Sequence, residues 1–412
     1  MKRVLVTAST FPRWEGDTVP PFVYQLSDRL SDFGYEMHVL APHHAGAATS
    51  ETMGSLQIHR FRYAPGSLEN LAYGGGILEN LRKKPARWAL VPSFLTSQYI
   101  STWNLTKRYS FDLIHAHWVI PQGITSAALP AWIRTPKLLT AHGGDVFASK
   151  GGLRKGIVRF VTDRHDVITV NSMAMQHAVH ELTGHSSTII PMGVDTARFS
   201  GVQHARRSEY GPAHNILVVG RLAEKKGVEY LIRAMPLIRA MVPGAKLTIV
   251  GDGPRKSMLE NEVKTAGMEA AVTFEGARPN SELPRYYANA NLFVAPSVVA
   301  DDGDTEALGV VLLEASGCGL PVISTRVGGI PDVIKHDETG VLVEQKSPDE
   351  IAKAAISLLL DRGRAQALGS AARKHIVENF GWDSVARRFA SLYEQLTEPR
   401  PATFQSSEHD AA

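Results

Sequence analysis

The chain alternates short apolar runs with stretches of helical periodicity, and most runs close on a small or polar loop. This alternation limits its fold more than any other feature. Residues 3–8, 36–41, 56–61, 113–117, 137–141, 167–170 and 187–191 read as strands, and an amphipathic helix from about 22 to 33 stops at Gly34. Strands this short and apolar suit burial on both faces, so a parallel sheet covered by helices is expected. The pattern then starts again. Residues 215–220, 246–250, 272–275, 292–296, 321–324 and 340–343 read as strands, with helices at 228–241, 255–266, 281–290, 348–360 and 363–379. A chain of 412 residues with 44% hydrophobic content exceeds one ordinary core. Two doubly wound Rossmann-like α/β domains facing across a cleft are expected, at 1–200 and 201–381. The polar joint lies near 195–211, and a tail, 398–412, is expected to be disordered.

Composition narrows the function classes. A net charge of +3 and a pI near 8.8 are too weakly basic to argue for nucleic acid. The single cysteine, Cys318, excludes an internal disulfide and reads as a packed thiol. No His/Cys cluster has metal-ligand spacing, and no metal is expected. No run of about 18 apolar residues is present, and the start enters a strand without a secretory apolar region. A cytoplasmic location follows as an expectation.

In open parallel sheets ligands bind beyond the carboxyl ends of the strands, so the loops at 9–21, 142–147, 220–227, 251–254 and 297–309 carry the interest. In Val219-Gly220-Arg221-Leu-Ala-Glu-Lys-Lys226-Gly227 a glycine ends a strand and two cations flank a short loop before a helix. Arg221 and Lys226 can converge on a diphosphate, joined by N–H groups at the helix start. They would stabilise a nucleoside diphosphate as it leaves, without a metal. Lys225 is expected to face solvent.

Glu306 and Glu314 bracket an apolar run with helical character. Eight helical residues rise about 12 Å, similar to the reach from the transferred sugar to the ribose of an extended sugar nucleotide. Glu306 would contact the sugar, and Glu314 would accept hydrogen bonds from the ribose diol. The N–H groups of Leu308 and Gly309 would meet phosphate or sugar hydroxyls. The plainer readings are a favourable charge at a helix N-terminus for Glu306 and a buried polar residue for Glu314. Asp301, Asp302 and Asp304 lack EF-hand spacing.

His142, at a strand end before Gly143-Gly144, would project into the cleft and either bond a sugar hydroxyl or share charge with the reacting centre. Gly16 in the first loop would let acceptor and phosphate approach. Gly251-Asp-Gly-Pro254 reads as a turn, and Arg278 lies where a nucleobase could stack. Segment 80–110 interleaves Lys83, Lys84, Arg87, Lys107 and Arg108 with Trp88, Phe94, Tyr99 and Trp103. It suits an anionic membrane surface, an ordinary helix with a charged rim, or an acceptor groove.

Together these pieces resemble the retaining glycosyltransferases of GT-B architecture, in the large family-four (group 1) set. The motifs that carry the resemblance are Thr140-Ala-His142-Gly, Pro191-Met-Gly-Val-Asp195, the Arg221–Lys226 loop, Gly251-Asp-Gly-Pro254, Glu306-x7-Glu314, Gly319-Leu-Pro-Val-Ile, Val327-Gly-Gly-Ile-Pro331-Asp and Gly340-Val-Leu-Val. The pattern departs at Ala307-Leu308, where Gly-Phe is commoner, and at Asp17, where a second glycine is frequent. The resemblance implies a UDP- or GDP-linked sugar donor and no other cofactor. Arg221 and Lys226 would hold the diphosphate, Glu314 the ribose, Glu306 the sugar, and His142 would reach it from the opposite domain. It also implies metal-independent transfer with retention, and a last helix, 382–397, that returns to the first domain. The expected partner is a saccharide or lipid-linked saccharide acceptor in surface polysaccharide or glycoconjugate assembly, with attachment to the inner membrane face left open. An epimerase or hydrolase on a like fold is disfavoured by the Glu306/Glu314 spacing, and a non-catalytic sugar-binding partner by the full charged set.

Overall fold

The computed structural model describes residues 1–17, 19, 21–147, 152–200 and 214–398. The first sheet contains β1 (Lys2–Thr7), β2 (Tyr35–Pro42), β3 (Ser50–Met53), β4 (Leu56–Phe61), β5 (Leu113–His117), β6 (Lys137–Ala141), β7 (Val167–Val170) and β8 (Thr188–Ile189), in the order β3-β4-β2-β1-β5-β6-β7-β8. Its pairings are parallel except for β3, which runs antiparallel to β4 at the edge. Sequence reading missed β3 because Ser-Glu-Thr-Met has no apolar run. Its residues are exposed or half-buried, and backbone pairing alone makes it a strand.

The second sheet contains β9 (His214–Val219), β10 (Ala245–Val250), β11 (Val272–Gly276), β12 (Leu292–Ala295), β13 (Val322–Thr325) and β14 (Val341–Val343). All its pairs are parallel, in the order β11-β10-β9-β12-β13-β14. The order reverses between β9 and β12, which opens a crevice where a ligand can reach backbone N–H groups. Helix Val228–Met241 repeats apolar residues on one face. Leu231, Ile232, Met235 and Ile238 are fully buried against this sheet and the helix Pro348–Leu360. Each such side chain contributes about 1.5–3 kcal/mol by leaving water.

The chain ends on helix Trp382–Thr397, whose Trp382, Val385, Ala386, Phe389, Ala390 and Tyr393 form a buried stripe at helical spacing. That stripe lies on the first sheet's side. The Trp382 indole donates to Gln25 Oε1 at 3.0 Å, the Tyr35 hydroxyl donates to the Ala390 carbonyl at 3.3 Å, and His115 Nδ1 is 2.7 Å from the Tyr393 hydroxyl. One apolar cluster therefore runs from Val4 and Met37 through Trp382 and Phe380 to Leu313 and Val322, joining the two sheets. Most of the expected joint, and the tail from 399 onward, lie outside the described residues. Among the described residues no helix is long and apolar enough to cross a membrane.

Candidate active site

At the carboxyl ends of β9 and β12 a pocket is lined by Gly220, Arg221, Lys226, Ser297, Glu306 and Gly309, among others. The Arg221 loop is held from beneath. The N–H groups of Gly220 and Leu222 donate to the carbonyls of Val250 and Asp252 at 2.9 Å, and that of Arg255 to Leu222 at 3.0 Å. The Gly251–Pro254 segment, read in sequence as a turn, thus supports the loop that carries Arg221.

The neighbouring loop is stitched to the first. Lys225 does not face solvent. Its Nζ lies 3.1 Å from Asp304 and 3.3 Å from the Thr305 carbonyl. Glu224 accepts from the Asp301 N–H at 3.0 Å and pairs with Arg255 at the same distance. Part of the aspartate run is therefore structural.

Lys226 Nζ donates to Glu306 Oε2 in a close ion pair, with side chains 19% and 14% exposed. Burial opposes the charge on Glu306. The fields of Lys226 and Lys225, the Lys226 bond and a bond from the Gly309 N–H outweigh it, and hold the carboxyl below the ordinary glutamate range. The Gly309 N–H, expected to serve a ligand, faces the Glu306 carboxylate. The Leu308 side chain is core, 2% exposed. Behind Glu306 lies Val327-Gly-Gly-Ile. The Gly329 N–H donates to the Glu306 carbonyl at 2.9 Å, and a Cβ on Gly328 would sit 1.9 Å from that same oxygen. Only glycine lets the two backbones meet there.

The helix expected between the two glutamates is shorter than the spacing suggested. It spans Val310–Gly317, after Gly309 at φ 83°, so Glu306 belongs to the preceding loop. Glu314 is not among the pocket-lining residues. The Tyr287 hydroxyl donates to its Oε2 at 2.7 Å, and burial pushes its pKa up against Tyr287 and Arg198.

Arg221 reaches across the cleft. Its Nη1 is 2.6 Å from Glu79 Oε2, on helix Ile77–Lys83 of the first domain, and Lys83 takes the other oxygen at 2.8 Å. Sequence reading missed Glu79. The available signal was Gly74-Gly75-Gly76 just before it, and all three glycines have positive φ.

His142 follows β6. Its Nε2 is 3.0 Å from His117 Nδ1, and its ring packs against Trp118 and Phe22 with centroids 4.7 and 5.2 Å apart. Burial lowers its pKa to about 3, so at neutral pH the ring is an uncharged hydrogen-bonding group and not a shared charge. His115, next in this buried row, is likewise lowered to about 3, first by burial.

Residues 203–375 match the family model for glycosyl transferases group 1, and residues 20–198 match that for glycosyltransferase family 4. A GDP-mannose-dependent alpha-(1-6)-phosphatidylinositol monomannoside mannosyltransferase of Mycobacterium tuberculosis is 36% identical over 263 residues, 62% of this chain and 68% of that protein. The chain belongs to the group 1 glycosyltransferases. An N-acetyl-alpha-D-glucosaminyl L-malate synthase of Bacillus anthracis is 30% identical over 300 residues, 70% of this chain and 76% of its own. The fold of this glycosyltransferase is that of the sucrose-phosphate synthase from Thermosynechococcus elongatus. The TM-score is 0.77 at 23% identity, covering 96% of this chain and 99% of the other.

Other expected site residues of the glycosyltransferase stand apart from the pocket. Arg278 pairs with Glu275 at 2.8 Å, which also accepts from Tyr286 at 2.9 Å, and it is not among the lining residues. Gly16 is exposed at φ 78°, in the loop closed by Asp17. Segment 80–110 is not one amphipathic helix. A 3-10 turn, Pro85–Leu90, precedes the helix Val91–Arg108. Phe94 is 1% exposed, Arg87 bonds Asn80 Oδ1 at 2.8 Å, and Trp88 remains 56% exposed.

Proposed function

We propose that this glycosyltransferase moves a hexose-type sugar from a UDP- or GDP-linked donor to a saccharide or lipid-linked saccharide, with retention at the anomeric carbon and without a metal. The observation that carries the reading is the pocket in which Arg221 and Lys226 converge beside Glu306 at the ends of β9 and β12. Two cations there match a diphosphate, whose charge grows as the bond from the anomeric carbon to its phosphate oxygen breaks. The acceptor oxygen bonds to that carbon on the same face, and its proton passes to a departing phosphate oxygen. Lys226 exchanges its carboxylate partner for phosphate, and Glu306 then receives the sugar hydroxyls. Neutral His142 donates to or accepts from the sugar across the cleft. Glu314 takes the ribose with Oε1, while Tyr287 orients Oε2.

The GDP-mannose dependence of the mycobacterial relative supports GDP-mannose as the first sugar nucleotide to try. That relative acts on a phosphatidylinositol monomannoside, which supports a glycolipid acceptor here. Attachment to an anionic inner membrane face, through exposed Trp88 with Lys83 and Lys84, accompanies that reading. Its check is vesicle binding that weakens when both lysines are neutralised.

A thermal-shift panel of UDP-, GDP- and ADP-sugars tests the core reading. A ligand held only by the native state raises apparent stability. One nucleotide series should stand out, and transfer should persist in chelator and give a product with the donor's anomeric configuration. Activity that vanishes in chelator and returns with a divalent ion, or an inverted product, overturns the mechanism.

A further inference from the structure

His142 is held by a neighbour that the donor reading leaves without a task. His117 closes β5, and His142 follows the end of β6, the strand paired with it. His117 Nδ1 faces His142 Nε2 at 3.0 Å. Ring centroids 5.2 Å apart and planes 22° apart set the two rings edge to edge, as an in-plane N–H···N bond requires. His117 is 1% exposed, and its other ring nitrogen, Nε2, is buried with no hydrogen-bond partner among the described residues. Its one ring bond is spent on His142.

His115, two residues earlier on β5, is the contrast. The fold absorbs both of its nitrogens. Nδ1 meets the Tyr393 hydroxyl and Nε2 the Thr140 hydroxyl, each at 2.7 Å, and Thr140 meets Thr169 at 2.6 Å. Trp118, which packs on His142, follows His117 with φ 71°, a backbone region that bulky side chains rarely adopt. Strain of this kind persists where the surroundings fix an orientation.

The contacts also decide where the protons sit. Burial keeps the His117 and His142 rings uncharged at neutral pH, so each carries a single N–H. One of the facing nitrogens donates and the other accepts. If His142 donated, the His117 proton would sit on Nε2 as a buried donor with no acceptor. If His117 donates, only a lone pair is left over on Nε2. Buried N–H groups without an acceptor are the rarer of the two.

Resting on the donor reading above, we propose that His117 is a positioning residue that holds His142 in the Nδ1–H tautomer, so that His142 meets the donor sugar as a hydrogen-bond donor. The sugar oxygen opposite Nδ1 then accepts. His142 has no lone pair on that nitrogen with which to take a proton from the acceptor, and that proton goes to the departing phosphate oxygen.

The test is two-bond proton–nitrogen NMR of the full chain labelled with ¹⁵N-histidine at pH 7, with the His142 signal assigned by its loss in His142→Gln. UDP and GDP thermal shifts, and nucleotide release from UDP-glucose and GDP-mannose, are measured alongside. Wild type should show His142 protonated at Nδ1 and bare at Nε2. His117→Asn, whose amide N–H stands where the Nδ1–H of histidine does, should keep that pattern and most of the turnover. His117→Phe supplies no donor, so His142 should move towards the Nε2–H form that free histidine favours. Its kcat should fall about tenfold, the kinetic equivalent of one hydrogen bond, with the nucleotide shift unchanged. A wild-type His142 protonated at Nε2 overturns the proposal, and this spectrum needs no variant at position 117. So does a His117→Phe protein that keeps the Nδ1–H pattern and wild-type turnover. A wild type that shows the Nδ1–H pattern but responds to neither nucleotide and turns over neither sugar nucleotide overturns the donor reading, and with it the task given to His142, while the tautomer assignment stands.

Discussion

Arg221 Nη1 stands 2.6 Å from Glu79 Oε2, so a donor-pocket cation is paired with a carboxylate of the opposite domain. An incoming diphosphate competes with that carboxylate for the guanidinium. Glu79→Gln should therefore tighten UDP or GDP binding about three- to tenfold, on the order of 1 kcal/mol for a pair with one half-exposed partner. The gain should shrink as salt is raised. Calorimetric titration measures it, and weaker binding would mean that Glu79 orients Arg221 and does not compete for it.

Removing Lys226 has two separable effects. Lys226→Ala leaves Glu306 shielded and short of its main partner, which costs about 3 kcal/mol, the low end for a buried pair broken on one side. It also removes a diphosphate cation. Adding Glu306→Gln should restore most of the stability and none of the turnover. Urea midpoints and initial rates of the single and double variants are the measurement, and recovered turnover in the double variant would contradict the assignment.

Gly227 sits at φ 59°, and a Cβ there would lie 2.0 Å from the Pro296 carbonyl oxygen on the pocket wall. Gly227→Ala should cost more than about 2 kcal/mol through left-handed strain and the clash together. Because Lys226 immediately precedes it, nucleotide affinity should fall as well. A folded variant with unchanged melting temperature and unchanged affinity would refute this.

Acid should weaken the fold before the carboxylates titrate. Burial lowers His115 and His142 to about 3 and His59 and His165 to about 4, and His117 is lowered by burial as well. The unfolded chain takes up these protons near pH 6.5 and the folded chain does not. The full contribution is present above 6.5 and is lost as pH falls towards 4. Each such histidine contributes up to roughly 1.4 kcal/mol per pH unit in that window. Glu314, raised by burial, runs the other way. Asp17, whose burial penalty is outweighed by Arg13 so that it sits at about 2, adds to the loss only at lower pH. Urea midpoints at pH 7, 6 and 5 should decline steadily, and a flat series would show that the histidine row opens to water.

Much of the fold was legible because its signals are local. Strands at 56–61, 113–117, 137–141 and 167–170, and helices at 228–241 and 348–360, fall where their apolar periods place them. The pairing of Lys226 with Glu306 was half legible. A glycine-ended strand, two cations and a later acidic loop named the residues, but not that cation and carboxylate neutralise each other before any ligand arrives. Helix length after Glu306 was misread because apolar content continues through Ala307–Gly309, and only the left-handed turn at Gly309 delays the helix.

Sequence alone determined the alternation of strand and helix, and with it two largely parallel sheets whose strand ends carry the functional loops, since periodicity and glycine placement act over a few residues. Tertiary structure decided which charges meet. Lys225 turns to Asp304, Arg278 to Glu275, Glu314 to Tyr287 and Glu79 to Arg221. Most of these partners are tens of residues apart or more. Their attraction is set by distance and burial after both sheets have formed, and no local pattern encodes either quantity.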